Sequence, residues 1–162
     1  MRRILPIALA ALAAACGAPP PQQPPTTLPS GYLLGIGDPT RGAILEASAG
    51  FARPSALHGR PEAAARLVAA LEHIAVAVPN DQMFRPFNPL VSLELPRARD
   101  EVRGLVGIAP AAPPQAVIDA LYSASRALRA GDRAGAARAL TPDVAPDAAA
   151  TLARLNALPD AP

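Results

Sequence analysis

The side chains that could carry catalysis or bind a metal are few and widely separated in this chain. Its two histidines are His58 and His73, and its single cysteine is Cys16. A structural zinc site needs four converging His, Cys or carboxylate ligands, which this set does not offer at any short spacing. No serine lies in the Gly-x-Ser-x-Gly elbow of an α/β-hydrolase nucleophile. We therefore expect no metal, no cofactor and no enzymatic activity.

Glu72 and His73 are the one adjacent pair of a carboxylate and an imidazole. They fall within a predicted helix, where neighbouring residues point in different directions. We therefore interpret His73 as an exposed or partly packed residue and not as half of a catalytic pair. A hydrolase remains as an alternative only if a convergent pair of carboxylates includes Glu72 or Glu94.

The first sixteen residues have the organisation of an export signal. Arg2 and Arg3 precede an apolar run over residues 4–12, and three alanines lead to Cys16. A charged start, an apolar stretch and small residues before a cut site are typical of such signals. The apolar stretch is too short to cross a bilayer, which takes roughly 20 helical residues. We therefore expect residues 1–15 to be removed.

Ala14, Ala15 and Cys16 resemble the cleavage motif of bacterial lipoproteins. In that family the signal is cut directly before the cysteine, and the thiol receives a diacylglycerol. The resemblance covers about the first 17 residues and implies a lipid anchor at Cys16. Gly17, where retained inner-membrane members often carry Asp, implies the outer membrane on its periplasmic side. Ordinary secretory cleavage and a free thiol that pairs with another chain remain the alternatives.

Composition argues against nucleic-acid binding, and a single cysteine excludes an internal disulfide. All fifteen basic residues are arginine and thirteen residues are acidic, so removing Arg2 and Arg3 leaves thirteen of each. A neutral mature chain offers no basic surface for nucleic acid.

Residues 18–29 contain six prolines, which predicts a disordered, extended linker. The predicted organisation is a signal over 1–15, the anchored Cys16 with a Pro-rich linker over 16–30, and a helical domain over 31–162.

Proline and aspartate positions predict where the helices begin. Asp38 and Pro39 predict a helix towards Gly50, and apolar residues at helical spacing predict a second over 60–78. Residues 90–95 are interpreted as a helical turn or an extended lead-in to a helix that Pro96 opens. The charged residues of that helix are expected to form a solvated face with Arg97 paired to Glu101; they are Arg97, Arg99, Asp100, Glu101 and Arg103.

A helical hairpin is predicted near the carboxyl end. A helix begins at Pro113 and Pro114 and ends at Gly131, and Asp132 caps the next one. This junction resembles the turn between paired helices of tetratricopeptide-type repeats, but no second copy occurs. A last helix is predicted over 146–158. The fold class is therefore all-α, a small bundle of about five to six helices with helical hairpins after the linker.

The loop from Pro79 to Asn88 holds Met83, Phe84 and Phe87 in a chain with only three Phe, two Tyr and no Trp. We expect these side chains to fold back as a lid over an alanine-lined core. If they point outwards, they are the best candidates for a partner or ligand contact.

These observations favour a membrane-tethered periplasmic lipoprotein that works by contact. The leading hypothesis is a non-catalytic scaffold or protein-interaction module of the cell envelope, held to the membrane through Cys16. The alternative is a periplasmic carrier that binds a lipid or a small apolar ligand between its helices. Nothing in the sequence identifies the partner or the ligand.

Overall fold

The computed structural model describes residues 23–29, 37–81, 83–84 and 89–158. Within these residues the chain forms six α-helices and no strand, which confirms the predicted all-α bundle. A short 3₁₀ turn, Pro54–Leu57, follows the first helix. The helices are α1 Pro39–Phe51, α2 Pro61–Asn80, α3 Pro89–Val106, α4 Pro114–Arg129, α5 Arg133–Ala139 and α6 Ala148–Asn156.

Helix α2 is the centre of the bundle and packs against α1, α3, α4 and α6. Its sequence is apolar on nearly every side, and a helix of that kind is stable only when it is surrounded. Ala64, Ala69 and Ala70 are completely buried, because their small side chains let neighbouring helices approach closely. The core is therefore built around α2 and not against one face of it.

Aspartate side chains cap the amino ends of three helices. Asp38 accepts a hydrogen bond from the backbone N–H of Thr40 at 2.9 Å, and Pro39 occupies the first helical position. Asp132 and Asp147 accept in the same way at the starts of α5 and α6. These bonds satisfy amide groups that lack a partner within the helix. The predicted caps at Asp38 and Asp132 are confirmed.

Helix α3 begins seven residues before the position predicted from the sequence. Pro89 stands at its first residue, where a missing amide hydrogen costs no helical hydrogen bond. Pro96 lies in its interior, so the prediction that a helix opens at Pro96 is wrong. Half-buried Leu95 packs against the core, and this contact helps to stabilise helical backbone on both sides of the proline.

The predicted hairpin of α4 and α5 is confirmed. The amide of Asp132 donates to the carbonyl of Ala127 at 2.9 Å, and the amide of Gly131 donates to the carbonyl of Leu128 at 3.0 Å. This pair of bonds closes the carboxyl end of α4 and needs a left-handed residue after the cap. Gly131 supplies it with a φ of 76°.

Candidate functional site

An apolar groove of about 480 Å³ opens between α1, α2 and α3. Leu71, Ile74 and Val78 of α2 form its buried floor. The volume falls within the range of small-molecule sites, roughly 300–1,000 Å³. The remaining lining residues are Ile44, Ala47, Ser48 and Phe51 of α1, Phe84, and Val91, Ser92, Leu95, Ala98, Glu101, Val102 and Leu105 of α3.

The α3 wall of the groove has a regular spacing along one helical face. Val91, Leu95, Ala98, Val102 and Leu105 follow one another at intervals of four and three residues. Such intervals place side chains on one helical face. The pattern crosses the proline at position 96, so it is visible only if one continuous helix is considered. It is the sequence signal that could have found this wall.

The predicted contact residues of the loop after α2 have different environments. Phe84 is half-buried, packs against the core and lines the groove. Met83 is 60% exposed. Phe87 and the anchor residue Cys16 lie outside the described residues. The structure therefore connects Phe84 to the groove and leaves Met83 on the surface.

Further large apolar side chains are exposed at positions that adjoin the groove lining in sequence. Leu45, Leu90 and Leu93 are each more than half exposed, as is Met83. Each of the four is next in sequence to a residue that lines the groove. Leu90 and Leu93 are three positions apart and share one face of α3, and exposed apolar patches are typical of contact surfaces. We call these four residues the apolar rim.

Glu72 and Arg103 form a buried ion pair between α2 and α3. Their side chains are 1% and 3% exposed, and Arg103 donates from Nε and Nη2 to the two carboxylate oxygens at 2.6 and 2.7 Å. Arg103 Nη1 also donates to the carbonyls of Pro110 and Ala112, at 2.9 Å each. Burial raises the pKa of Glu72, and the hydrogen bonds and charge of Arg103 oppose that effect. The pair joins α2 to α3 and to the loop before α4.

The expected solvated face of α3 is wrong for Arg99 as well as for Arg103, because both are buried. Charged residues at these positions face α2 or the amino-terminal segment instead of water, which helical spacing alone does not reveal. Arg99 is held by the carboxylate of Asp100 at 2.9 Å and by the side chain of Gln23 at 2.7 Å.

Residues 23–29, which we call the strap, lie against the helices, so the expectation of a disordered linker does not hold for them. Besides the contact of Gln23, the backbone of Thr27 exchanges two hydrogen bonds with the side chain of Gln115 on α4, at 2.8 and 3.2 Å. Leu28 is partly buried against the core. Prolines keep this segment extended, and its side chains and backbone still find partners on α3 and α4.

His73 joins the strap to α1. Its Nδ1 lies 2.9 Å from the hydroxyl of Thr26, and its Nε2 lies 3.2 Å from the hydroxyl of Thr40. Burial lowers the pKa of His73, an effect that the negative charge of Asp38 opposes. The interpretation of His73 as exposed or partly packed is therefore wrong, because the imidazole is buried and has hydrogen-bond partners on both ring nitrogens.

The carboxylates named for a hydrolase occupy different environments. Glu72 is enclosed with Arg103, whereas Glu94 is exposed and pairs with Arg97 at 2.9 Å. Arg97 thus pairs with the residue three positions before it, and the predicted Arg97–Glu101 pair is wrong. His58 lies 3.2 Å from the carbonyl of Leu158 through its Nε2. Among the described residues, no three His, Cys or acidic side chains converge to hold a metal.

Comparison with protein-family models, curated proteins and solved structures finds no significant match to this chain. In the part of the chain that the structure describes, no helix combines the length and the apolar character that crossing a bilayer requires. The groove, the apolar rim and the strap are therefore the features of the described chain that bear on its function.

Proposed function

We propose that this protein is a membrane-tethered, non-catalytic binding module of a bacterial cell envelope, and that its groove holds the apolar part of a ligand. The observation that carries this proposal is the groove between α1, α2 and α3. Its volume suits a small ligand, and most of its lining side chains are aliphatic or aromatic. This observation favours the carrier over the scaffold.

The tether in this proposal is Cys16, acylated as its resemblance to bacterial lipoproteins implies. Because the strap is held on the bundle from Gln23 onwards, only the chain between Cys16 and Gln23 separates the body from the anchor. Seven residue steps span at most about 25 Å. A bundle on so short a tether stays close to the bilayer from which an apolar ligand would come. Gly17 supports the outer membrane, facing the periplasm, as its location.

Ligand capture tests the groove. The mature chain from position 16 onwards, carrying Cys16→Ala so that it has no thiol to acylate, is mixed with vesicles of envelope lipids, separated from them and examined by native mass spectrometry. We expect one apolar molecule per chain. Ala98→Phe should abolish binding because a ring replaces a methyl group in the groove wall, whereas Ala149→Phe, at an exposed position of α6, should not. A Cys16→Ala chain that emerges without any bound apolar molecule contradicts the proposal.

The anchor has its own test, which does not depend on the groove. The mass of the protein isolated from its native membranes should correspond to a chain that begins at Cys16 and carries acyl groups. Exported behind an ordinary cleavable secretory signal in place of residues 1–15, the Cys16→Ala chain should move from the membrane fraction to the soluble fraction. A native protein that retains Met1, or one whose Cys16 carries no lipid, contradicts the tether.

A protein-contact module remains the second candidate, and the apolar rim is the observation that favours it. Photo-crosslinking from position 93 in intact cells should then capture a discrete protein partner, while the same probe at exposed position 149 should not. Loss of the crosslink in Leu90→Ser would assign the partner to the rim. If position 93 gives no more crosslinked protein than position 149, this candidate is rejected.

A further inference from the structure

The shape of the groove limits what can enter it. Along α3 its lining extends from Val91 to Leu105, a rise of about 21 Å at 1.5 Å per residue. The facing lining of α2 extends from Leu71 to Val78, a rise of about 10 Å, so the groove is longest along its α3 wall. An elongated apolar groove of this kind suits an alkyl chain laid along α3.

The polar side chains of the lining are Ser48, Ser92 and Glu101. The hydroxyl of Ser48 donates to the carbonyl of Ile44 at 2.8 Å, so its hydrogen is already used. Glu101 is exposed and is the one charged residue among the described side chains that line the groove. It stands about 6 Å of helix rise from Leu105 and about 15 Å from Val91. The lining thus presents a negative charge beside an elongated apolar channel, and no basic side chain balances it there.

From this complementarity we infer that the groove takes an alkyl chain whose polar end is an amine, placed beside Glu101. The inference rests on the proposed function and names the ligand class of the same site. A carboxylate end would meet the like charge of Glu101. A hydroxyl end would be neutral towards it. The order of affinity is therefore amine, then alcohol, then carboxylate.

Equilibrium dialysis of radiolabelled decylamine, decanol and decanoate against the mature Cys16→Ala chain, which begins at position 16, tests this order. We expect one bound molecule per chain. Because Glu101 is exposed, each step in affinity should be on the order of threefold at low salt, as for other exposed ion pairs, and smaller at high salt. Glu101→Gln should bring the three affinities together. The matched control is Glu94→Gln, which removes the same charge from α3 outside the lining and should preserve the order.

The outcomes separate this inference from the function on which it rests. If none of the three probes binds, the groove is closed to alkyl chains and the proposed function fails with it. If all three bind equally, or if the order survives in Glu101→Gln, the amine preference is overturned and the apolar site stands. Two or more molecules per chain would overturn the assignment of binding to this one groove. Circular dichroism of both variants verifies that the exposed substitutions leave the helices intact.

Discussion

Replacing Arg103 by Leu tests the buried connection between α2, α3 and the loop before α4. The substitution removes both bonds to Glu72 and both donors to the carbonyls of Pro110 and Ala112. Removing one partner of a buried ion pair costs about 3–5 kcal/mol, because the remaining charge has no compensation. Domains of this kind unfold with about 5–15 kcal/mol in total. We therefore expect Arg103→Leu to lose a large share of its free energy of unfolding.

The double variant Glu72→Leu with Arg103→Leu separates the two roles of the arginine. An apolar pair leaves no buried charge, so most of the ion-pair loss should be recovered. The loop carbonyls remain without a donor, and a residual loss of about 1–3 kcal/mol should persist. The exposed Arg129→Leu is the control and should stay within about 0.5 kcal/mol of the unmodified chain.

Urea unfolding followed by circular dichroism measures these differences. With a slope of about 1–3 kcal/mol per molar urea, Arg103→Leu should lower the midpoint by at least about 1 M. A loss below about 1 kcal/mol for Arg103→Leu would refute the reasoning, since it would mean that Glu72 needs no counter-charge in the core. A double variant less stable than Arg103→Leu would equally contradict the assignment of the loss to an unpaired charge.

Three further predictions concern other parts of the fold. Burial lowers the pKa of His73, so the unfolded chain binds the proton more readily than the folded chain does. The unfolding free energy should therefore fall between pH 7 and pH 5, by at most about 1.4 kcal/mol per pH unit. In His73→Gln the dependence of the unfolding free energy on pH should become weaker. An unchanged dependence would show that the His73 imidazole is not its source. Gly50→Ala should destabilise the fold by about 1 kcal/mol, because the added Cβ would lie 2.5 Å from the side chain of buried Leu67. Gly104→Ala has open space around the added Cβ and should stabilise the fold by up to about 1 kcal/mol. Urea midpoints that shift in the same direction for both variants would contradict this. Thr26→Val removes the hydrogen bond between Thr26 and His73, so it should lower the unfolding free energy by about 1 kcal/mol and speed proteolysis within the strap. A cleavage rate equal to that of the unmodified chain would show that this hydrogen bond does not hold the strap in place.

Local chemistry made much of the secondary structure predictable from the sequence. Asp38 with Pro39 at the start of α1, and Gly131 with Asp132 between α4 and α5, act through atoms a few residues apart. Pro96 misled the same approach, because a proline is acceptable inside a helix when packing offsets one lost hydrogen bond. The part of the groove wall before Pro96 was missed for that reason, since its spacing continues through the proline.

The buried polar residues could not be predicted from periodicity. Arg103 and Arg99 have the charge and spacing of a solvated face, and only the approach of α2 and the strap changes their environment. Likewise, Thr26 lies in a segment whose composition is that of a free linker. Its partner His73 is 47 positions away, and no local signal connects the two.

Helix α2 controls the groove through two adjacent polar residues. Glu72 bonds to α3 through Arg103, and His73 bonds to α1 through Thr40. Neighbouring positions on a helix point in different directions, so one turn of the buried central helix can hold both walls of the groove. These two polar residues therefore connect α2 to the helices that form both walls of the groove. Weakening either contact should change the separation of the walls, and with it the binding of an alkyl chain.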